Sequence, residues 1–163
     1  MDKETVIVTP FTADLRDKLI SMIVNIQQNE FNLPISAEDQ PDLFDIENFY
    51  QQGNGNFWIA LHNDEVVGSI ALIDIGNQEA ALRKMFVHKD YRGKETGTAH
   101  KLIDSLLAWS KERSVQNIYL GTTKKMHAAQ RFYTNKGFVE IERSQLPDSF
   151  PVMEVDSKFY VLT

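Results

Sequence analysis

Apolar positions along the chain recur at two periods, and the changes of period mark the elements. From Thr5 to Phe11 they alternate weakly, which predicts a strand closed by Pro10. Leu15, Leu19, Met22, Ile23 and Ile26 then follow helical spacing, predicting an amphipathic helix from Ala13 to about Gln28 with Thr12 as N-cap. A second helix is expected over Pro41–Gln52, with Leu43, Ile46 and Tyr50 on one face and Gly53-Asn54-Gly55 as its stop. Three strands come next. Phe57–Leu61 and Glu65–Asp74 are joined by a hairpin turn at Asn63-Asp64, and Ala80–His88 follows Gly76-Asn77.

The period lengthens again at Thr98. Ala99, Leu102, Ile103, Leu106, Leu107 and Trp109 form the strongest helical stripe of the chain, ending near Arg113. Asn117–Thr122 reads as a short apolar strand, and Lys124–Lys136 as a helix closed by Gly137 in the left-handed conformation. Phe138–Arg143 and Lys158–Leu162 finish as strands around a Pro147/Pro151 loop. The order β-α-α-β-β-β-α-β-α-β-β predicts an α/β (α+β) fold: a mixed sheet of about seven strands flanked by about four helices. No repeat, low-complexity tract or linker divides it, so residues 1–163 are expected to form a single domain.

Composition removes several alternatives. Hydrophobic residues make up 42% of the 163, enough for a core and too many for a disordered chain. Cysteine is absent, which excludes disulfides, iron–sulfur clusters and a thiol nucleophile. His62, His88, His100 and His127 show no metal-ligand spacing, so no metal is expected. The opening Met1-Asp2-Lys3-Glu4 lacks a secretory pattern, and no apolar run could span a bilayer; the expectation is a cytoplasmic chain without membrane contact.

Charge divides the chain. Residues 1–80 carry 14 acids and 3 bases, whereas residues 81–163 carry 9 acids and 14 bases. The positive half could receive phosphates and the acidic half an amine, though charge alone favours solvated faces without a partner. The overall net charge of −6 argues against a nucleic-acid partner, despite the basic stretch from Arg83-Lys84 to Lys101.

The most informative segment is Met85-Phe86-Val87-His88-Lys89-Asp90-Tyr91-Arg92-Gly93-Lys94-Glu95-Thr96-Gly97-Thr98-Ala99. A strand enters a small, basic, glycine-bearing loop that opens directly onto an amphipathic helix. The first turn of a helix has backbone N–H groups without intrahelical acceptors and a partial positive charge, and Gly97 and Ala99 let an anion approach them. The segment reads as a phosphate cradle reinforced by Arg92 and Lys94, or as an ordinary strand-to-helix turn with solvated cations. It is neither a Walker loop nor a dinucleotide fingerprint, because the spacings differ.

With Ala129-Gln130-Arg131-Phe132-Tyr133-Thr134-Asn135-Lys136-Gly137-Phe138, this segment resembles the GNAT superfamily of acetyl-CoA-dependent N-acetyltransferases. The family's Gln/Arg-x-x-Gly-x-Gly/Ala loop is matched as Lys94-x-x-Gly97-x-Ala99, a register chosen because Leu102-Ile103 begin the apolar stripe at the family's distance. The second stretch matches Ala-x-x-Phe/Leu-Tyr-x-x-x-Gly-Phe. Met126 stands where the family often has an Asn.

The resemblance implies the GNAT acyl-CoA N-acyltransferase fold and direct acetyl transfer from acetyl-CoA to the primary amine of a small molecule or peptide. It implies coenzyme contacts from Met85, Phe86 and Val87 on the strand and from Arg92, Gly93, Lys94, Glu95, Thr96, Gly97, Thr98 and Ala99 in the loop. Tyr133 is the implied general acid for the departing thiolate. The usual carboxylate position on the strand is Ala81, which leaves Glu79, Glu30, Glu38, Asp39 and Asp42 as candidate bases. A CoA-binding sensor without turnover is the alternative, and the chain is expected as a monomer or homodimer, with Phe159 and Tyr160 either pairing the last strand against a second subunit or buried within the monomer.

Overall fold

The structure is a computed structural model and describes residues 6–93 and 96–163. Strands β1 (Ile7–Pro10), β2 (Asn56–His62), β3 (Glu65–Gly76), β4 (Glu79–Val87), β5 (Asn117–Thr122), β6 (Val139–Ile141) and β7 (Lys158–Leu162) form one sheet in the order β1-β2-β3-β4-β5-β7-β6. Every pairing is antiparallel except that of β4 with β5. The helices are α1 (Arg16–Asn25), α2 (Ile46–Phe49), α3 (Thr98–Glu112) and α4 (His127–Asn135). This is the mixed sheet with four helices that the periodicity predicts.

Two elements differ from expectation. The first helix starts as a 3-10 turn at Ala13–Leu15, becomes α only at Arg16, and ends in a π turn over Ile26–Glu30. Thr12 makes no capping bond; its hydroxyl donates to Asp14 Oδ1 instead. The second helix is broken into a 3-10 turn at Pro41–Phe44 and the single turn of α2, because Asp45 at φ −147° leaves helical geometry. Its apolar face is nevertheless the expected one: Leu43, Ile46 and Tyr50 are all fully buried.

The sheet separates two apolar layers. On one face α3 and α4 pack Leu102, Ile103, Leu106, Tyr133 and Phe138 against Trp58, Leu82 and Leu120. On the other, Leu19, Ile23, Leu43 and Tyr50 cover Phe57, Ile59 and Ala71, while Phe150 and Phe159 cover Ala81. Phe159 and Tyr160 are therefore core residues of an internal strand, and their burial within the sheet removes them as subunit-pairing groups. No helix among the described residues is long and apolar enough to cross a membrane.

One irregularity in β4 matters for function. Ser69 pairs with Phe86 and Ala71 with Arg83, so β4 carries one residue more than β3 between the two pairs. That bulge includes Lys84, held at φ +54°, whose carbonyl accepts from Ser69 Oγ at 2.7 Å. A bulge bends and twists its strand. The parallel pairing of β4 with β5 accordingly ends at Ala81–Tyr119, and the two strands part beyond it.

Candidate active site

The parting of β4 and β5 opens the sheet at its middle. Met85 and Val87 of β4 pack with the α3 layer, and Phe86 packs with the α1 layer. Because β4 has no β5 partner past Ala81, its backbone there is available to an extended ligand arm, which can pair with it as a further strand.

At the end of β4 the chain turns through Lys89–Tyr91 and enters the loop before α3. Tyr91 is buried, with its hydroxyl 3.2 Å from His62 Nδ1. Thr96 is buried and donates to the Tyr91 carbonyl at 2.6 Å, which ties the end of the loop to its start. Gly93 and Gly97 have φ +98° and +61°, backbone that L side chains rarely adopt. The Gly97 carbonyl accepts the first helical bond, from Lys101, and a Cβ at Gly97 would meet no described residue within 4 Å. Among the described residues, nothing closes the space at this glycine. Thr98 Oγ1, fully buried at that turn, has no hydrogen-bond partner among the described residues. Buried hydroxyls are rarely left unpaired, so an oxyanion there has a donor waiting. These features fit a diphosphate. The expected contacts of Lys94 and Glu95 lie outside the described residues.

Arg92 is placed differently from a free phosphate ligand. Its guanidinium donates to both carboxylate oxygens of Glu30 and to the Val87 carbonyl at 2.9 Å. The hydrogen bonds from Arg92, with its charge, hold the Glu30 carboxyl below its ordinary range. This pair anchors the loop to the end of the first helical segment. It also removes Glu30 from the pool of proton acceptors.

Tyr133 lies on α4 in the same apolar cluster as Met85, Val87 and Leu120. Phe132 and Phe138 meet its ring edge-on, each at 5.7 Å between centroids. Gly137 takes φ +99°, and the Phe138 amide donates back to the Tyr133 carbonyl. Only 5% of Tyr133 is exposed, and burial raises its phenol well above the ordinary tyrosine range. The hydroxyl therefore stays protonated at neutral pH, as a donor must. Lys136, the residue after α4, has its Nζ 3.2 Å from Asp104 of α3.

The opposite face of the split is polar. Tyr50 donates to Asp42 Oδ2 at 2.6 Å, and Lys84 Nζ lies 3.4 Å from that oxygen and 2.7 Å from Gln40 Oε1. Gln27 and Gln40 exchange side-chain hydrogen bonds. Burial lowers Lys84 to about 8, against the pull of Asp42. Asp42 is thus a structural partner of Tyr50 and Lys84. Glu79 accepts from Asn117 and Tyr119, Asp39 caps Ser36, and Glu38 is exposed. His127 is exposed at the start of α4.

Sequence reasoning missed three groups on this face: Arg83, Lys84 and Asp156. Two adjacent cations inside the otherwise apolar run Ala80–Val87 were the available signal. Asp156 has none, because it reaches the site from the long segment before β7.

The layout defines a class, a split mixed sheet with a helix start aimed at the split. A model of the acetyltransferase (GNAT) family matches residues 20–138, and the chain belongs to that family. A solved GNAT-family acetyltransferase from Staphylococcus aureus Mu50 is 43% identical, with 96% of this chain and 98% of that one aligned at TM-score 0.91. An acetyltransferase from Streptococcus agalactiae 2603 is 34% identical, with 96% of each chain aligned at the same TM-score of 0.91. The PaiA N-acetyltransferase of Thermoplasma acidophilum, solved in complex with coenzyme A, shares the fold at 12% identity and TM-score 0.74, covering 96% of this chain and 98% of its own. Among curated proteins, N-acetyltransferase 8F1 of Rattus norvegicus is 26% identical over 102 residues, 60% of this chain and 45% of that protein. The chain spans about half the length of the curated relatives it matches.

Proposed function

We propose that residues 1–163 act as one N-acetyltransferase domain that moves the acetyl group of acetyl-CoA directly onto a primary amine. The observation that carries this reading is the Thr98 hydroxyl, fully buried and without a partner among the described residues, at a helix start beside a strand edge freed by the bulge at Lys84. The diphosphate of the coenzyme would take the first-turn amides at Gly97–Ala99 and the Thr98 hydroxyl. Its pantetheine arm would lie along Met85–Val87, with a backbone N–H near Val87 facing the thioester oxygen; such a donor is worth about 3 kcal/mol in the transition state. Arg92, held by Glu30, would position the loop.

In the transfer, the neutral amine nitrogen attacks the thioester carbon, the C–S bond breaks, and the proton that the amine gives up passes to water, so that amide and CoA thiolate are the immediate products. The leaving thiolate receives the Tyr133 hydroxyl. Because burial makes this phenol a weaker acid than in water, its contribution is a strong hydrogen bond to the developing thiolate more than early proton loss. Without cysteine there is no thiol route through an acyl-enzyme.

The test is release of free CoA thiol from acetyl-CoA with a panel of amines. An acetyltransferase gives amine-dependent thiol. A coenzyme sensor binds acetyl-CoA and gives none, which would refute the proposal.

A further inference from the structure

Arg83 occupies the face of the split opposite α3. Its guanidinium carbon is 5.7 Å from the centroid of the Phe49 ring and 5.9 Å from that of Tyr50, and Nη2 is 3.2 Å from Met153 Sδ. Three elements converge on this group: β4, the turn around α2, and the segment before β7. Ring faces and a thioether stabilise a half-buried guanidinium without occupying most of its five N–H donors. Among the described residues no carboxylate forms an ion pair with it.

Asp156 stands on the β5 side of the same face. A Cβ at Gly121 would lie 2.6 Å from its carboxylate, so the glycine makes room for it, and the Met153 amide donates to Oδ2 at 2.9 Å. Burial raises Asp156 while the charges of Arg83 and Arg143 oppose the rise. Met153 stands between the two groups, its amide on Asp156 and its sulfur on Arg83, and among the described residues Arg83 and Asp156 form no ion pair with one another. A guanidinium with donors to spare, near a carboxylate it does not touch, is complementary to a ligand carrying one negative and one positive group. The guanidinium fork takes a carboxylate with two parallel hydrogen bonds, and one negative charge suits a site that also holds the Asp156 carboxylate better than the two of a phosphate. Arg83 precedes Met85 by two residues, so both belong to the stretch of β4 beyond its last pairing with β5, the stretch along which the coenzyme arm is proposed to lie.

We infer that the acceptor amine carries a carboxylate beside it, as an α-amino acid does, and that Arg83 is the residue that binds this carboxylate. The inference rests on the acetyl-transfer reading and deepens it.

Thiol release should be measured with α-amino acids of aliphatic, aromatic and acidic side chains, each beside its own carboxamide. The affinity for acetyl-CoA is measured in parallel. Amides lose their ammonium proton more readily than the acids, so a preference for the acid runs against intrinsic reactivity and reports recognition. Wild type should favour the best acid over its amide by about tenfold or more in kcat/KM, the scale of one charge-assisted pair. Arg83→Gln should bring that ratio to about one with acetyl-CoA affinity unchanged, and Arg83→Lys should keep part of it. Equal use of acid and amide by wild type, or a preference that survives Arg83→Gln, overturns the inference alone. Acetyl-CoA that binds and yields no thiol with any amine overturns the transfer reading, and the inference with it.

Discussion

The two faces of the β4–β5 split are built by opposite means. On the α3 face the chain places small residues and an apolar cluster that includes the buried Tyr133, and among the described residues the Thr98 hydroxyl has no partner. On the other face it buries charge: Lys84, Asp42, Tyr50 and the paired glutamines form a network in which each polar group is used. One face offers unsatisfied donors to a ligand. The other spends most of its donors on itself and leaves Arg83 and Asp156 unpaired with one another. A shared coenzyme can be gripped by backbone and small residues, whereas an acceptor must be told apart by side-chain charge.

The contrast can be broken by substitutions that affect one face and spare the other. The largest effect is expected for Tyr133→Phe, which should lower kcat by about 10² to 10⁴ while leaving acetyl-CoA affinity within a few-fold, as measured by thiol release and calorimetry. An unchanged kcat where chemistry limits the rate would remove Tyr133 from the mechanism. Tyr50→Phe should do the reverse. It leaves a buried carboxylate without its 2.6 Å donor and should cost about 1–3 kcal/mol in denaturant unfolding, with acetyl-CoA affinity unaltered. Gly97→Val forces a β-branched residue to φ +61° and should weaken acetyl-CoA binding by about tenfold or more, with the fold intact by circular dichroism.

The smallest effect concerns pH. Lys84 is lowered to about 8 from an ordinary 10.5, chiefly by burial. Below pH 8 both folded and unfolded chains carry the charge, and the burial penalty is present in full. Above it the folded protein sheds the proton while the unfolded chain keeps it, so folding stability rises with pH. Wild type should gain about 1 kcal/mol per pH unit relative to Lys84→Met between pH 8 and 10, read from denaturant midpoints. A difference that stays flat across that range would mean that Lys84 is not desolvated.

The same contrast decides what the amino-acid sequence made legible. The helical stripe from Ala99 to Trp109, the Gly137 turn and the hairpin at Asn63-Asp64 are local patterns, and the structure has them. Over Pro41–Gln52 the buried face was legible and the helix was not. Asp42 and Tyr50 answer to each other and to Lys84, a residue far along the chain, and that network overrides helical continuity. Candidate bases were harder still. Glu30, Asp42 and Glu79 look available in sequence, yet each is claimed by a partner distant in the chain: Arg92, Lys84 and Tyr119. Asp156 was invisible because its importance comes from the space above Gly121, which only the folded sheet defines.

The central claim is that the start of α3 grips a diphosphate and thereby aims a thioester at Tyr133. A crystal structure with acetyl-CoA bound tests it most directly. The expected result is diphosphate oxygens on the Thr98 hydroxyl and the amides of Gly97–Ala99, with the thioester sulfur within hydrogen-bonding distance of Tyr133 Oη. A diphosphate bound elsewhere, or a sulfur beyond the reach of that hydroxyl, would contradict the claim.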